Sequence, residues 1–199
     1  MSRNDADRPA ARSIAARVAG LVVVAVAIGL LLTNGIWLGL NCGGMRAPRR
    51  GEVAPAFTLT DLAGTRYTST QLRGKVLVLD FWATWCPPCV AKYPALEALA
   101  DAHHGAGLRV LAISVDREGR DLERFLARRR EARASAGKAP SKIVVLRARD
   151  GVAAAYGVHT LPHLVVVDRQ GRLRYIHIGR GGGRALEDVV RRALTDPSD

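Results

Sequence analysis

The central strands of this chain are predicted by runs of apolar residues with few polar interruptions. Such runs, rich in leucine, isoleucine and valine, lie at residues 76–79, 108–116 and 164–168. A continuous apolar run is typical of a strand with both faces buried, because strict alternation appears only where one face meets water. Shorter runs at residues 142–146 and 173–178 predict two further strands.

Helices are predicted where apolar residues recur at a spacing of three or four. The segment 121–133 shows this pattern, because Leu122, Phe125 and Leu126 fall on one face of a helix. Its three consecutive arginines, residues 128–130, are expected to form a solvated face. Further helices are predicted at residues 90–100, 150–157 and 184–194.

The order of these elements predicts an α/β fold. Residues 76–116 run strand, helix, strand, which gives a parallel unit with a right-handed crossover. Phe57 and Leu59 alternate with polar threonine, so a half-buried strand is expected there, with a short return strand at residues 66–68. A further helix and strand are predicted between residues 121 and 146, before the third central strand.

The N-terminal segment predicts a membrane anchor. Residues 18–40 are apolar apart from Thr33 and Asn34, and a helix of about 20 residues crosses a bilayer. The basic residues before this span predict that the N-terminus stays in the cytoplasm. We therefore expect a cytoplasmic tail at residues 1–17, a single-pass transmembrane signal-anchor at 18–40, a linker at 41–50 and an extracytoplasmic domain at 51–199.

Two alternatives for the N-terminal segment stay open. One is a cleaved signal peptide, and the other is a lipoprotein signal that ends at Cys42, although Asn41 stands where a small residue is expected. Each alternative still exports the domain that follows. An exported domain meets an oxidising compartment, where thiol chemistry requires dedicated carriers.

Composition and charge narrow the choice of partners. The chain has 199 residues, 48% of them hydrophobic, and a formal net charge of +12. This length suits one ordinary domain with extra segments. The arginines are spread over many elements, and no surface that combines basic and aromatic residues for base stacking is visible. We therefore expect a basic surface beside a membrane and no nucleic-acid partner.

Two cysteines three positions apart carry the candidate chemistry. Cys86 and Cys89 follow the predicted strand at residues 76–79 and begin the predicted helix, so their sulfur atoms are close enough to bridge. A helix N-terminus favours a thiolate over a thiol, which makes Cys86 a nucleophile and leaves Cys89 to resolve a mixed disulfide. A structural disulfide and half of a zinc site are alternatives, but the sequence has no second Cys-x-x-Cys pair that would complete a zinc site. Redox chemistry is therefore favoured.

Asp80 lies six residues before Cys86, inside the predicted buried strand. Burial of a carboxylate is costly, so its pKa is expected to rise through desolvation. One interpretation places this side chain at the strand end, solvated or hydrogen-bonded to backbone. The other makes Asp80 the proton acceptor for Cys89 during resolution of the mixed disulfide.

Residues 81–89, Phe-Trp-Ala-Thr-Trp-Cys-Pro-Pro-Cys, resemble the active-site signature of the thioredoxin superfamily, and most of all its TlpA/ResA/DsbE-like branch. Tyr-Gly-Val at residues 156–158, followed by Leu161 and Pro162, resembles the cis-proline loop of that superfamily. The resemblance implies a central mixed sheet flanked by helices, with an N-terminal hairpin extension and a mid-chain helical insertion. Peroxiredoxins are an alternative, but they typically place threonine where Ala83 stands.

The resemblance also implies roles for particular residues. It implies a redox disulfide between Cys86 and Cys89, and neither a metal nor a cofactor. Alternatives are an enzyme that forms disulfides, and a copper-binding module that uses both cysteines and His163. The implied site consists of Cys86 (nucleophile), Cys89 (resolving), Asp80 (proton acceptor), Pro162 (cis-proline loop), and Leu161, Trp85 and Pro87 (substrate contacts).

The implied partners are thiols and disulfides of exported proteins. The resemblance predicts a reductive role, for example in cytochrome c maturation or the assembly of metal sites. Electrons would come from a donor in the membrane. The direction of electron flow depends on the reduction potential of the cysteine pair, which the residues Pro87 and Pro88 do not reveal.

Overall fold

The computed structural model describes residues 20–32, 47–117, 119–148 and 151–195. The chain divides into two compact units, Met1–Gly44 and Met45–Asp199. In the first unit, residues 20–32 form helix α1, whose side chains are exposed. Among the described residues, no helix is long and apolar enough to cross a bilayer. Much of the predicted span 18–40 lies outside the described residues, so the anchor stays a prediction.

The second unit holds two sheets and four helices among its described residues. Pro87 and Pro88 begin the first helix of this unit, because the first turn of a helix needs no N–H donors. The elements in chain order are β1 (Thr58–Thr60), β2 (Arg66–Thr68), β3 (Val76–Trp82), α2 (Pro87–His103), β4 (Leu108–Ser114), α3 (Gly119–Ser135), β5 (Val144–Arg147), α4 (Val152–Ala155), β6 (His163–Val167), β7 (Leu173–Ile178) and α5 (Gly183–Thr195).

The larger sheet has the strand order β5-β4-β3-β6-β7. Strands β3, β4 and β5 run parallel, whereas β6 is antiparallel to β3 and β7 is antiparallel to β6. Every residue of β3 is buried, as its continuous apolar pattern predicted. The thioredoxin-like α/β fold with a mixed sheet flanked by helices is therefore confirmed. The hairpin of β1 and β2 forms the separate two-stranded sheet.

Alternate residues of β3 face opposite sides of the sheet and pack into different clusters. Leu77, Leu79 and Phe81 belong to the core cluster that also contains residues of β1 and α4. Val76 and Val78 belong to the cluster formed with residues of α2 and α5. Because side chains alternate along a strand, Asp80 lies on the same side of the sheet as Val76 and Val78, under α2.

Helix α3 differs from the prediction of a solvated arginine face. Arg129 donates a hydrogen bond to the buried carboxylate of Glu97 on α2. Arg133, itself buried, lies 3.7 Å from the same carboxylate and donates a hydrogen bond of 2.7 Å to Asp101. A buried carboxylate must be paired, and these arginines pair Glu97 across two helices. The prediction of a solvated face is therefore wrong for Arg129.

Candidate active site

The turn between β3 and α2 places both cysteines at the start of the helix. Cys86 is the residue just before the first helical turn, with φ −100° and ψ 97°. The N–H groups of Cys89 and Val90 both donate to the Cys86 carbonyl, at 3.0 and 3.1 Å. Pro87 and Pro88 occupy the first two helical positions. Cys86 therefore lies at the strand-to-helix turn, as the sequence predicted, and the helix begins directly after it at Pro87.

Cys86 and Cys89 form a disulfide, with their Cα atoms 5.3 Å apart. Both are buried, Cys86 with 5% of its surface exposed and Cys89 with 1%. Trp85, directly before them, is 68% exposed and presents an aromatic ring to solvent at the site. Cys86 is thus the more accessible sulfur of the pair, which agrees with its predicted role in attack on a substrate.

The loop before the cysteines is fixed by hydrogen bonds that the sequence reasoning missed. The carboxylate of Asp116, just after β4, accepts bonds from the Thr84 N–H at 3.1 Å and from the Thr84 hydroxyl at 2.8 Å. The hydroxyl of Ser114 donates to the same carboxylate at 2.8 Å. The only signal in the sequence is an aspartate that ends an apolar run. These bonds hold the loop that carries Trp85 and Cys86 against the end of β4.

Asp80 is fully buried and forms an ion pair with Lys92 on α2. Lys92 Nζ donates to Asp80 Oδ1 at 2.5 Å, and Asp80 Oδ2 has no hydrogen-bond partner among the described residues. Burial raises the pKa of the Asp80 carboxyl, and the positive charge of Lys92 opposes this rise. The alternative that Asp80 is solvated at the strand end is therefore wrong. Lys92, three residues after Cys89, was not anticipated from the sequence.

An aromatic layer lies beneath the disulfide. Trp82 packs against Tyr93 and Phe125, with ring centroids 5.1 and 4.9 Å away. Both cysteines belong to the same buried cluster as these rings. Burial raises the pKa of the Tyr93 hydroxyl, so this group stays neutral. The layer keeps water away from the inner side of the cysteine pair.

The predicted cis-proline loop reaches the same site. The Leu161–Pro162 peptide bond is cis, and the Pro162 carbonyl accepts a hydrogen bond of 2.8 Å from the Gly179 N–H. Leu161 packs against the cluster that contains the two cysteines. Pro162 lines an open groove of about 550 Å³ together with Pro87 and Pro88. The structure thus brings the segment around residue 162 beside the Cys-x-x-Cys turn.

His163 lies in the core, facing the opposite side of the sheet from Asp80. Its ring meets Phe81 edge-on with centroids 6.0 Å apart, and neither ring nitrogen has a hydrogen-bond partner among the described residues. Burial lowers the pKa of the imidazole to about 4, with smaller contributions from His159 and Lys92.

The copper-binding alternative finds no support in this arrangement. Within the part of the chain that the structure describes, no three His, Cys, Asp or Glu side chains form a group that could hold a metal ion. The set of Cys86, Cys89 and His163 is fully described, so these residues do not form the site that the alternative requires. His163 instead packs as a neutral ring in the core.

A mixed sheet of this topology, with a Cys-x-x-Cys pair at a helix start and a cis-proline beside it, defines the class of thioredoxin-fold thiol–disulfide oxidoreductases. Residues 49–191 match the redoxin family. The chain belongs to the redoxin family and is a thiol–disulfide oxidoreductase.

Individual relatives and solved structures agree with this assignment. The chain is 30% identical to thiol-disulfide oxidoreductase ResA of Geobacillus kaustophilus over 175 residues, which cover 88% of this chain and 91% of that protein. It is 30% identical to thioredoxin-like protein YneN of Bacillus subtilis over 142 residues, 71% of this chain and 79% of that one. A structure from Chlorobium tepidum, described as a thiol:disulfide interchange protein DsbE, superposes with a TM-score of 0.65 at 28% identity, covering 74% of this chain and 99% of that one.

Proposed function

We propose that this chain reduces disulfides in proteins outside the cytoplasm, with Cys86 and Cys89 as its redox pair. The proposal rests on the arrangement of three groups around one helix start. The two cysteines begin α2, the carboxyl of Asp80 is buried under the same helix, and Pro162 lines the groove beside them. A thiol pair, a nearby proton acceptor and an open groove are what disulfide exchange requires.

The reaction begins with the reduced pair. The Cys86 thiolate attacks one sulfur of a substrate disulfide, and the other substrate sulfur leaves and takes up a proton. Cys89 then gives its proton to the ionised carboxylate of Asp80 and attacks the Cys86 sulfur, which releases the second substrate sulfur. Two electrons have passed to the substrate, and the Cys86–Cys89 disulfide seen in the structure is the oxidised product. A protein donor in the membrane then returns two electrons to this disulfide.

The sequence alone did not reveal the direction of electron flow, but the place of the two prolines at the first two positions of α2 supports the reductive direction. A helix start stabilises a thiolate through its unpaired N–H groups, but Pro87 and Pro88 have no N–H to offer. A reduced form that is less stabilised makes a couple more reducing, whereas strongly oxidising thiol enzymes owe their potential to a stabilised reduced form. Loss of two donors beside Cys86 therefore favours a reductant over an enzyme that forms disulfides.

The location and the substrates are part of the proposal. The apolar span 18–40 and its basic flank support a single-pass anchor with the second unit outside the cytoplasm. The similarity to ResA and DsbE proteins supports cysteines of other proteins as substrates. We propose substrates whose cysteines must stay reduced after export, as in cytochrome c maturation or the assembly of metal sites.

Two measurements test this function. The first is the potential of the Cys86–Cys89 couple in glutathione or dithiothreitol buffers. A value near that of thioredoxin, about −270 mV, supports a reductant, whereas a value near about −120 mV would replace it with a disulfide-forming enzyme. The second is a trapping experiment: Cys89→Ser should accumulate substrates as mixed disulfides on Cys86. Cys86→Ser is the matched control, and equal trapping by both variants would contradict the assigned roles.

A further inference from the structure

A second groove runs between α2 and α5, next to the one at Pro162. Its volume is about 510 Å³, and it shares Lys92, Gly181 and Gly183 with the groove that Pro162 lines. The two grooves therefore form one continuous channel on the surface, from the redox pair along the length of α2. We call the part between α2 and α5 the α2–α5 groove.

The α2–α5 groove is apolar at its base and has charged groups of both signs at its rim. The side chains on the exposed side of α2 are small, so they leave the space of the groove unfilled. Leucines from the sheet and from α5 form the rest of its floor. Arg184 and Glu187 provide one charge of each sign at the rim, and the ammonium group of Lys92 is paired with the carboxylate of Asp80. The apolar residues that line it include Ala95, Ala98, Leu99, Ala102, Leu164 and Leu186.

We propose that the α2–α5 groove binds an extended segment of the substrate polypeptide next to the cysteine that Cys86 attacks. This proposal rests on the proposed function, because the substrate must reach Cys86 for the reaction to occur. The groove continues directly from the site where that cysteine is held, so the flanking chain has a path into it. Apolar side chains of the segment fit its apolar floor.

The dimensions of the helix set which substrate residues reach the groove. Ala95 and Ala102 lie nine and sixteen positions beyond Cys86 along the chain. At about 1.5 Å per residue of helix, these positions are about 14 and 24 Å from Cys86. An extended chain covers about 3.3 Å per residue, so the apolar side chains lie about four to seven residues from the substrate cysteine.

Synthetic peptides test this register with the full chain. Each peptide has one cysteine, which is activated as a mixed disulfide with thionitrobenzoate. Attack by Cys86 releases thionitrobenzoate, and the rate of this release is the rate of attack. The first peptide has leucines about four to seven residues from the cysteine on both sides. The second has serine and glutamine at those positions. We expect the reduced chain to attack the first peptide about tenfold faster, and equal rates would overturn the proposal.

Two variants test whether the preference for the leucine peptide arises in the α2–α5 groove. Ala98→Arg fills the α2–α5 groove and should remove most of the preference for the leucine peptide. Ala127→Arg adds the same side chain at an exposed position of α3 and should keep the preference. The readout is the ratio of the two peptide rates, each divided by the rate with a small disulfide, so loss of folded protein does not mimic the result. An unchanged ratio in Ala98→Arg would overturn the proposal.

A third variant and one further outcome complete the test. Ala102→Arg, at the far end of the groove, should slow peptides with leucine about seven residues from the cysteine more than peptides with leucine at about four. An equal effect on both would contradict the register. If the reduced chain attacks neither the peptides nor a small disulfide such as dithiobis-nitrobenzoate, the proposed function itself fails, and that result is distinct from a loss of preference.

Discussion

Among single residues, Asp80 has the surroundings with the clearest chemical consequence. Burial raises the pKa of its carboxyl, so Asp80 can hold a proton at a pH where an ordinary carboxylate cannot. The ammonium group of Lys92 opposes this rise through its charge and its hydrogen bond. The balance between the two effects sets the pH at which Asp80 can accept the proton of Cys89.

We expect Asp80→Asn to slow reduction of substrate disulfides near neutral pH, by about tenfold. An amide has the shape of the carboxyl but cannot accept a proton, so the Cys89 thiol loses its internal base. The measurement is the turnover of a protein disulfide such as insulin between about pH 6 and pH 9. Unchanged rates over that range would show that Asp80 takes no part in proton transfer.

Lys92→Met tests the same site from the other side of the ion pair. Removal of the positive charge raises the pKa of the Asp80 carboxyl further, because only desolvation then acts on it. The Asp80 carboxyl is then ionised only at higher pH, so the rising limb of the pH–rate profile should shift to higher pH. A profile that is lower at every pH but not displaced would assign Lys92 a purely structural role.

A substitution of Pro88 tests whether the N–H groups at the helix start affect the redox potential of the cysteine pair. Pro88→Ala restores one backbone N–H in the first turn, which should lower the pKa of the Cys86 thiol and make the couple less reducing by about 10–20 mV. Pro94→Ala is the matched control, because Pro94 lies inside the helix, away from its start. Equal shifts in both variants would attribute the effect to helix stability and not to the N–H group.

The secondary-structure elements divide into those that local sequence determines and those that depend on distant partners. Strand β3 was predictable because both of its faces are buried, and the start of α2 because two prolines follow Cys86. The hydrogen bonds and ion pairs between elements were not predictable. Asp80 and Lys92 are 12 positions apart, and the pairs Thr84–Asp116 and Glu97–Arg129 are each 32 apart. A sequence shows that charges exist, but the packing of α2, α3 and the sheet decides which of them meet.

Strand β6 contains His163, whose burial makes the stability of the fold depend on pH. His163 has a pKa of about 4 in the folded protein against an ordinary value of 6.5, so the unfolded chain takes up a proton first as the pH falls. His163 should therefore lower the stability of the fold as the pH falls from about 6.5 to about 4, by up to about 3 kcal/mol. Above this window the histidine is neutral in both states and has no such effect.

His163→Phe should remove this part of the pH dependence. Phenylalanine keeps an aromatic ring of similar size against Phe81 but does not titrate. The free energy of unfolding, measured in urea at several pH values, should fall less steeply below about pH 6.5 in the variant than in the natural chain. Parallel curves for His163→Phe and the natural chain would contradict the burial argument.

At the scale of the whole molecule, the second unit contains all parts of the candidate site. The two cysteines, Asp80 and Pro162 all lie in Met45–Asp199, and so do the three buried clusters of the described residues. A unit with its own sheet and its own core is expected to fold without the segment before it. The first unit is therefore expected to determine location and not chemistry.

Deletion of residues 1–44 separates these two properties. The fragment should reduce a small disulfide within about twofold of the full chain and unfold in one cooperative transition. It should also leave the membrane fraction, because the apolar span is the proposed anchor. A fragment that stays with membranes in low salt and leaves them in high salt would instead place the attachment on the basic surface of the second unit, since screening weakens only charge-based binding. Loss of activity with an intact fold would show that the first unit contributes to the site.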